Sequence, residues 1–181
     1  MHSLHKVRNP GQITAVADLA REIWTRHFVP IIGQAQVEYM LEAFQSEGAI
    51  AGQLAEGYEY YLMTREKQPV GYLAIVPDAG RGTLMLSKIY VQAAMRGRGC
   101  GRHMLAFAEN ACRERGIGTL WLTVNKNNTQ AIEWYRRMGF RVAEETVVDI
   151  GGGFVMDDYR MEKAISIRPL QTSGPPGARP D

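Results

Sequence analysis

Residues 89–105 read IYVQAAMRGRGCGRHML, and their chemistry is that of an anion site. Gly97, Gly99 and Gly101 alternate with Arg96, Arg98, Cys100 and Arg102, between an apolar run and an amphipathic one. A helix starting near Gly99 leaves several amide N–H groups without intrahelical partners, and its dipole places about half a positive charge there. Glycine lets main chain approach an anion closely, and arginine adds forked hydrogen bonds to phosphate oxygens. A tight turn alone needs glycine but not three arginines, so the combination points to a pyrophosphate. Two nucleotide motifs do not fit. A P-loop closes on Gly-Lys-Ser or Gly-Lys-Thr, where this chain has Gly101, Arg102 and His103. A dinucleotide fingerprint begun at Gly97 meets Arg102 where it needs glycine or alanine, and no acidic residue stands in the VNKNN run that follows the next strand.

The elements that must position this junction follow from periodicity. ITAVADLAREIWTRHFVP has Val16, Leu19, Ala20, Ile23, Trp24 and Phe28 at helical spacing, with Pro30 marking its end. QAQVEYMLEAFQS repeats the pattern, and SEGAIAGQLAEG reads as a third helix weakened by Gly48 and Gly52. YEYYLMTRE, VGYLAIVPD and TLMLSKIYV then read as an antiparallel meander. The glycine junction leads into the amphipathic helix RHMLAFAENACRE, stopped near Gly116, and into the short strand TLWLTVN. NNTQAIEWYRRMGF is a helix with Asn128 at its head and Gly139 at its foot, and RVAEETVVDI and FVMDDYRMEKAI close the fold as a hairpin. The order predicts an α/β (α+β) domain over 1–165 with a mixed sheet, the strands on either side of the junction helix being parallel. Residues 166–181, rich in proline and glycine, read as a disordered tail.

With these residues in place, the chain resembles the GNAT superfamily of N-acetyltransferases, including its bacterial small-amine and polyamine members. That family's acyl-CoA loop has Gln or Arg, two variable residues, Gly, one variable residue, then Gly or Ala. Arg96, Gly99 and Gly101 stand in that register. Its second signature, Asn, Ala, Tyr and a closing Gly-Phe, matches Asn128, Ala131, Tyr135, Gly139 and Phe140. The resemblance implies a mostly antiparallel central sheet flanked by helices, with a splayed strand pair holding acetyl-CoA (coenzyme A). It implies that Ile89, Tyr90 and Val91 offer main-chain groups to the pantetheine arm. The amides of Arg96, Gly97, Arg98, Gly99, Cys100, Gly101 and Arg102 would hold the pyrophosphate, Asn128 would contact the cofactor near its thiol end, and Tyr135 would face the sulfur.

Acyl transfer to an amine poses two proton problems. An alkylammonium with a pKa near 10.4 costs about 4.6 kcal/mol to neutralise at pH 7, so a base is needed. The departing thiolate needs a proton, which a phenol near pKa 10 still carries, and this makes Tyr135 the candidate general acid. Tyr135 also shares a helical face with Ala131 and Met138 and could serve packing alone. Some relatives carry a glutamate base on the strand before the glycine loop, but TLMLSKIYV has no carboxylate. Asp157 and Asp158 are the candidates to attract a cationic amine and relay its proton. His27, Glu38 and Tyr39 lie on the N-terminal helices that cover the acceptor side in this family. The expected function is acetylation of a small cationic amine. A protein or peptide acceptor and a non-catalytic acyl-CoA-binding sensor are the alternatives, and a homodimer could form through the edge of the final hairpin.

Composition narrows the rest. The chain has 181 residues, 45% hydrophobic and 22% charged, which suits a single domain with a real core. A net charge of +2 without a basic run argues against nucleic acid as partner, and no stretch of about 18 apolar residues suits a membrane. The segment MHSLHKVRNP lacks a signal-peptide core, so the expected location is the cytoplasm. Cys100 and Cys112 stand too far apart on one helix, roughly 18 Å, to form a disulfide, and no His/Cys cluster has metal-ligand spacing, so no metal is expected.

Overall fold

Asn9 starts the first helix: its side-chain oxygen accepts from the Gln12 N–H at 3.0 Å. Pro10 follows at the first turn, where a missing N–H costs nothing. In this computed structural model, which describes residues 2–167, helix α1 spans Pro10–Ile32 and so runs past Pro30. Pro30 lies within the last turn and forfeits one bond there, and Gly33 does the terminating, its N–H donating to Val29 O at 3.0 Å. Helices α2 (Gln34–Gln45) and α3 (Glu47–Ala55) follow, α3 capped by Ser46 Oγ on the Ala49 N–H. The tail expected from residue 166 lies, from residue 168 onward, outside the described residues.

Seven strands form one sheet: β1 (His2–Lys6), β2 (Glu59–Arg65), β3 (Gln68–Asp78), β4 (Thr83–Val91), β5 (Thr119–Asn125), β6 (Arg141–Gly151) and β7 (Phe154–Ala164). Their order is β1-β2-β3-β4-β5-β7-β6, antiparallel except for β4 and β5. The sequence pattern did not show β1, which pairs through main chain with β2. Helix α4 (Cys100–Glu114) makes the crossover between β4 and β5, and α5 (Thr129–Arg137) follows β5. The central strands are apolar on both faces because both are covered. Tyr61, Met63, Leu73, Ile75, Leu84, Leu86, Leu120 and Leu122 pack with α4 and α5. Tyr60, Leu62, Tyr72 and Ala74 pack with α1, α2 and α3 on the other face. β1 and β6 are the two edges of the sheet, and Val147 and Val148 on β6 are exposed.

The β4–β5 pairing is short. It holds for Thr83–Thr119, Leu84–Leu120 and Met85–Trp121 and then stops, although both strands continue. On the β3 side, Ala74 pairs with Lys88 and Ile75 with Leu86, leaving Ser87 as an extra residue. Such a bulge bends a strand, and it sits where the two parallel strands part.

Candidate active site

The gap between β4 and β5 opens into a cleft of about 850 Å3. One end is the glycine junction. Gly99 is the residue before α4 and has φ 83°, Gly97 has φ 73°, and a Cβ on either would meet nothing within 4 Å. The turn therefore needs residues that accept left-handed backbone, and the space in front of it is open. Among the described residues the N–H groups of Cys100, Gly101 and Arg102 have no carbonyl acceptor, the first helical bond outside the ladder being His103 N–H to Gly99 O. These donors, with Arg96 and Arg102 at the cleft wall, suit a diphosphate. Arg98 is exposed and lies outside the lining. Cys100 and Cys112 are free and buried in α4, and burial raises both thiols, Cys112 to about 11.

Ile89, Tyr90 and Val91 line the middle of the cleft on a β4 edge that has no β5 partner beyond Met85. Asn128 and Tyr135 enter from α5. Asn128 stands at the head of the helix but makes no capping bond with its side chain, which is buried and faces His27. The Tyr135 ring packs edge-on against Trp134 and Phe140, and burial raises its phenol above the usual value. It thus packs and lines the cleft at once.

The opposite wall and roof come from α1, α2 and the far strands: Trp24, His27 and Phe28, Met40 and Phe44, and Asp158. Asp158 on β7 is 4% exposed. Burial, assisted by the charge of Asp157, pushes its carboxyl up to about 6, against the opposing Thr123 hydroxyl and Lys126. His27 is pulled down by burial and by Arg96, with the Asn128 amide opposing. Three residues expected on the acceptor side are outside the cleft lining. Asp157 points away from the cleft to an exposed ion pair with Lys126 at 2.6 Å, since neighbouring strand residues face opposite sides. Tyr39 donates to Ile150 O at 2.6 Å and packs on Phe154, holding the β6–β7 turn. Glu38 is exposed and accepts from Gln34.

The sequence reading missed Lys88. It lines the cleft from β4, and burial draws its ammonium down to about 8. The signal was there: a lone charged residue in the strand TLMLSKIYV, within a sheet expected to be flanked by helices.

Comparison with known proteins fits this geometry. Residues 15–140 match the acetyltransferase (GNAT) family. Streptothricin acetyltransferase of Streptomyces lavendulae is 35% identical over 94 residues, a match that covers 52% of this chain and 50% of that relative's length. A ribosomal-protein alanine N-acetyltransferase of Salmonella typhimurium is 30% identical over 109 residues, covering 60% of this chain and 72% of the relative. The crystal structure of PaiA N-acetyltransferase from Thermoplasma acidophilum in complex with coenzyme A superposes with a TM-score of 0.75 at 18% identity, over 91% of this chain and 99% of that one. With the family match spanning α1 to the end of α5, and the seven-stranded sheet parting at β4 and β5, the chain belongs to the acetyltransferase (GNAT) family of acyltransferases.

Proposed function

We propose that this chain transfers the acetyl group of acetyl-CoA to the nitrogen of a small primary amine that arrives as its ammonium ion. The observation that carries the reading is the row of unpaired N–H donors at the head of α4, opening onto the gap where β4 and β5 part. When bound, acetyl-CoA supplies a thioester, whose acyl carbon is open to an amine and whose sulfur can leave. The amides of Gly97–Arg102, with Arg96 and Arg102, hold the diphosphate, and the free β4 edge at Ile89–Val91 accepts the pantetheine arm as an added strand would be accepted. Asn128 orients the thiol end. Tyr135 Oη keeps its proton at neutral pH, because burial raises it further, and so has one to give to the departing sulfur. The Asp158 carboxylate, ionised above about pH 6, draws the ammonium in and takes its proton directly or through water.

The roof of Trp24, Phe28 and Phe44 favours a small acceptor over a peptide. A protein acceptor is the second reading, supported by the similarity to a ribosomal-protein alanine N-acetyltransferase. The test supplies acetyl-CoA with a panel of small amines and of peptides and follows thiol release. Turnover of small amines is expected. Reaction with peptides alone would replace the small-amine reading, and no thiol release despite coenzyme A binding would leave a non-catalytic acyl-CoA sensor.

A further inference from the structure

Lys88 holds a charge for which the fold supplies no counter-charge. It leaves β4 on the face covered by α1, α2 and α3, is 6% exposed, and lines the cleft. Its ammonium donates to Gln53 Oε1 at 2.8 Å, an oxygen that also accepts from the Tyr60 hydroxyl at 2.6 Å. The rings of Tyr58 and Tyr60 stand 5.4 and 5.2 Å from it, centroid to nitrogen. Among the described residues no carboxylate acts on it, and burial alone perturbs it. A neutral amide oxygen and two π faces orient the group, while at least one of its three donors has no protein acceptor.

Asp158 is the complementary case. It is a buried carboxylate in the same cleft, and no ion pair joins it to Lys88. One cleft thus presents a buried anion and a buried cation that leave each other unpaired. Buried charges are costly unless paired, and here a ligand with both signs would pair them. We propose, building on the acetyl-transfer reading, that the acceptor is an amino carboxylate, its ammonium received by Asp158 and its carboxylate by Lys88. A carboxylate fits better than a phosphate. Lys88 is a single point charge with no arginine fork beside it, and a phosphate dianion would keep one charge uncompensated.

The test uses matched pairs: leucine against isopentylamine, phenylalanine against phenethylamine, lysine against cadaverine, and β- and ω-amino acids against their decarboxylated amines. Each is titrated calorimetrically into protein saturated with coenzyme A, and each is assayed for thiol release from acetyl-CoA. The carboxylate-bearing member of at least one pair should bind and react better by about tenfold or more. Lys88→Met should abolish that preference and Lys88→Arg should retain part of it, with coenzyme A affinity unchanged and thermal unfolding still cooperative in both. Equal or better performance by the decarboxylated amine in every pair would overturn the proposal, as would a preference that survives Lys88→Met. A failure of coenzyme A to bind would instead sink the acetyl-transfer reading. The same titrations into the free protein would then decide on Lys88 separately, a carboxylate preference lost in Lys88→Met supporting the anion site and its absence refuting it.

Discussion

At the scale of single residues, proton positions decide the chemistry. Tyr135→Phe keeps the ring that packs on Trp134 and Phe140 and removes only the hydroxyl. Turnover should fall by about a hundredfold or more while coenzyme A affinity, measured by calorimetry, stays within a few-fold; an unchanged turnover removes Tyr135 as the acid. Asp158 gives a second prediction with a definite sign. In the unfolded chain its carboxyl ionises near pH 4, whereas in the fold it holds its proton to about 6. The native state therefore binds the extra proton between about pH 4 and 6, and the stability this gives is full below that window and lost across it. Asp158→Asn should raise the melting temperature relative to the parent more at pH 7 than at pH 4, and should remove any rise in turnover through about pH 6. The place of Tyr135 and Asn128 in the cleft lining was legible because their signature is local in sequence. Lys88 was not, since its burial depends on Gln53 and Tyr58 arriving from a distant helix and its following turn. The Asp157–Asp158 pair was misread as a unit, although strand alternation lets only one of two neighbours face the cleft.

At the scale of elements, the sensitive contact is between β3 and β4. A Cβ on Gly71 would lie 2.5 Å from the carbonyl oxygen of Tyr90, a main-chain atom that no rotamer change can move. Gly71→Ala should therefore displace the β4 segment Ile89–Val91, costing about 1–3 kcal/mol, which for a domain of this size is several degrees in melting temperature. Coenzyme A affinity should fall with it. Gly48→Ala in α3 is the control: it has space around it and no left-handed backbone, so higher helix propensity should raise stability by up to about 1 kcal/mol and leave the cleft untouched. A Gly71→Ala variant as stable as the parent would show that β4 can shift freely. The helices and meander were readable from periods of 3.6 and 2, and the parallel β4–β5 pair from the crossover rule. β1 escaped because main-chain pairing with β2, rather than an apolar pattern, makes HSLHK a strand. Pro30 misled because a proline in a last turn costs one bond and need not end a helix.

At the scale of the molecule, the candidate site joins helices from both faces of the sheet. The cleft takes its glycine-turn end from α4, its floor from β4 and β5, Asn128 and Tyr135 from α5 and its roof from α1 and α2. The order of elements revealed the layers, but the parting of β4 and β5 was legible only through family resemblance, because strand pairing that stops after Met85 leaves no mark in composition. A ligand that binds across these parts only in the native state must raise the unfolding free energy. At a hundred times its dissociation constant the gain is about 2.7 kcal/mol, or roughly 5–11 °C in melting temperature for a chain of this length. Coenzyme A should produce that shift and should narrow the spread of hydrogen-exchange rates between the α4 head and β5. Gly99→Ala, which forces a Cβ onto backbone at φ 83°, should lower the ligand-free melting temperature by about 1–2 kcal/mol equivalent and shrink the coenzyme A shift as well. The two effects separate the roles of the turn: a variant that loses stability but keeps the full shift would mean the glycine serves the fold alone, and a parent protein with no shift at all would mean the α4 donors serve some other anion.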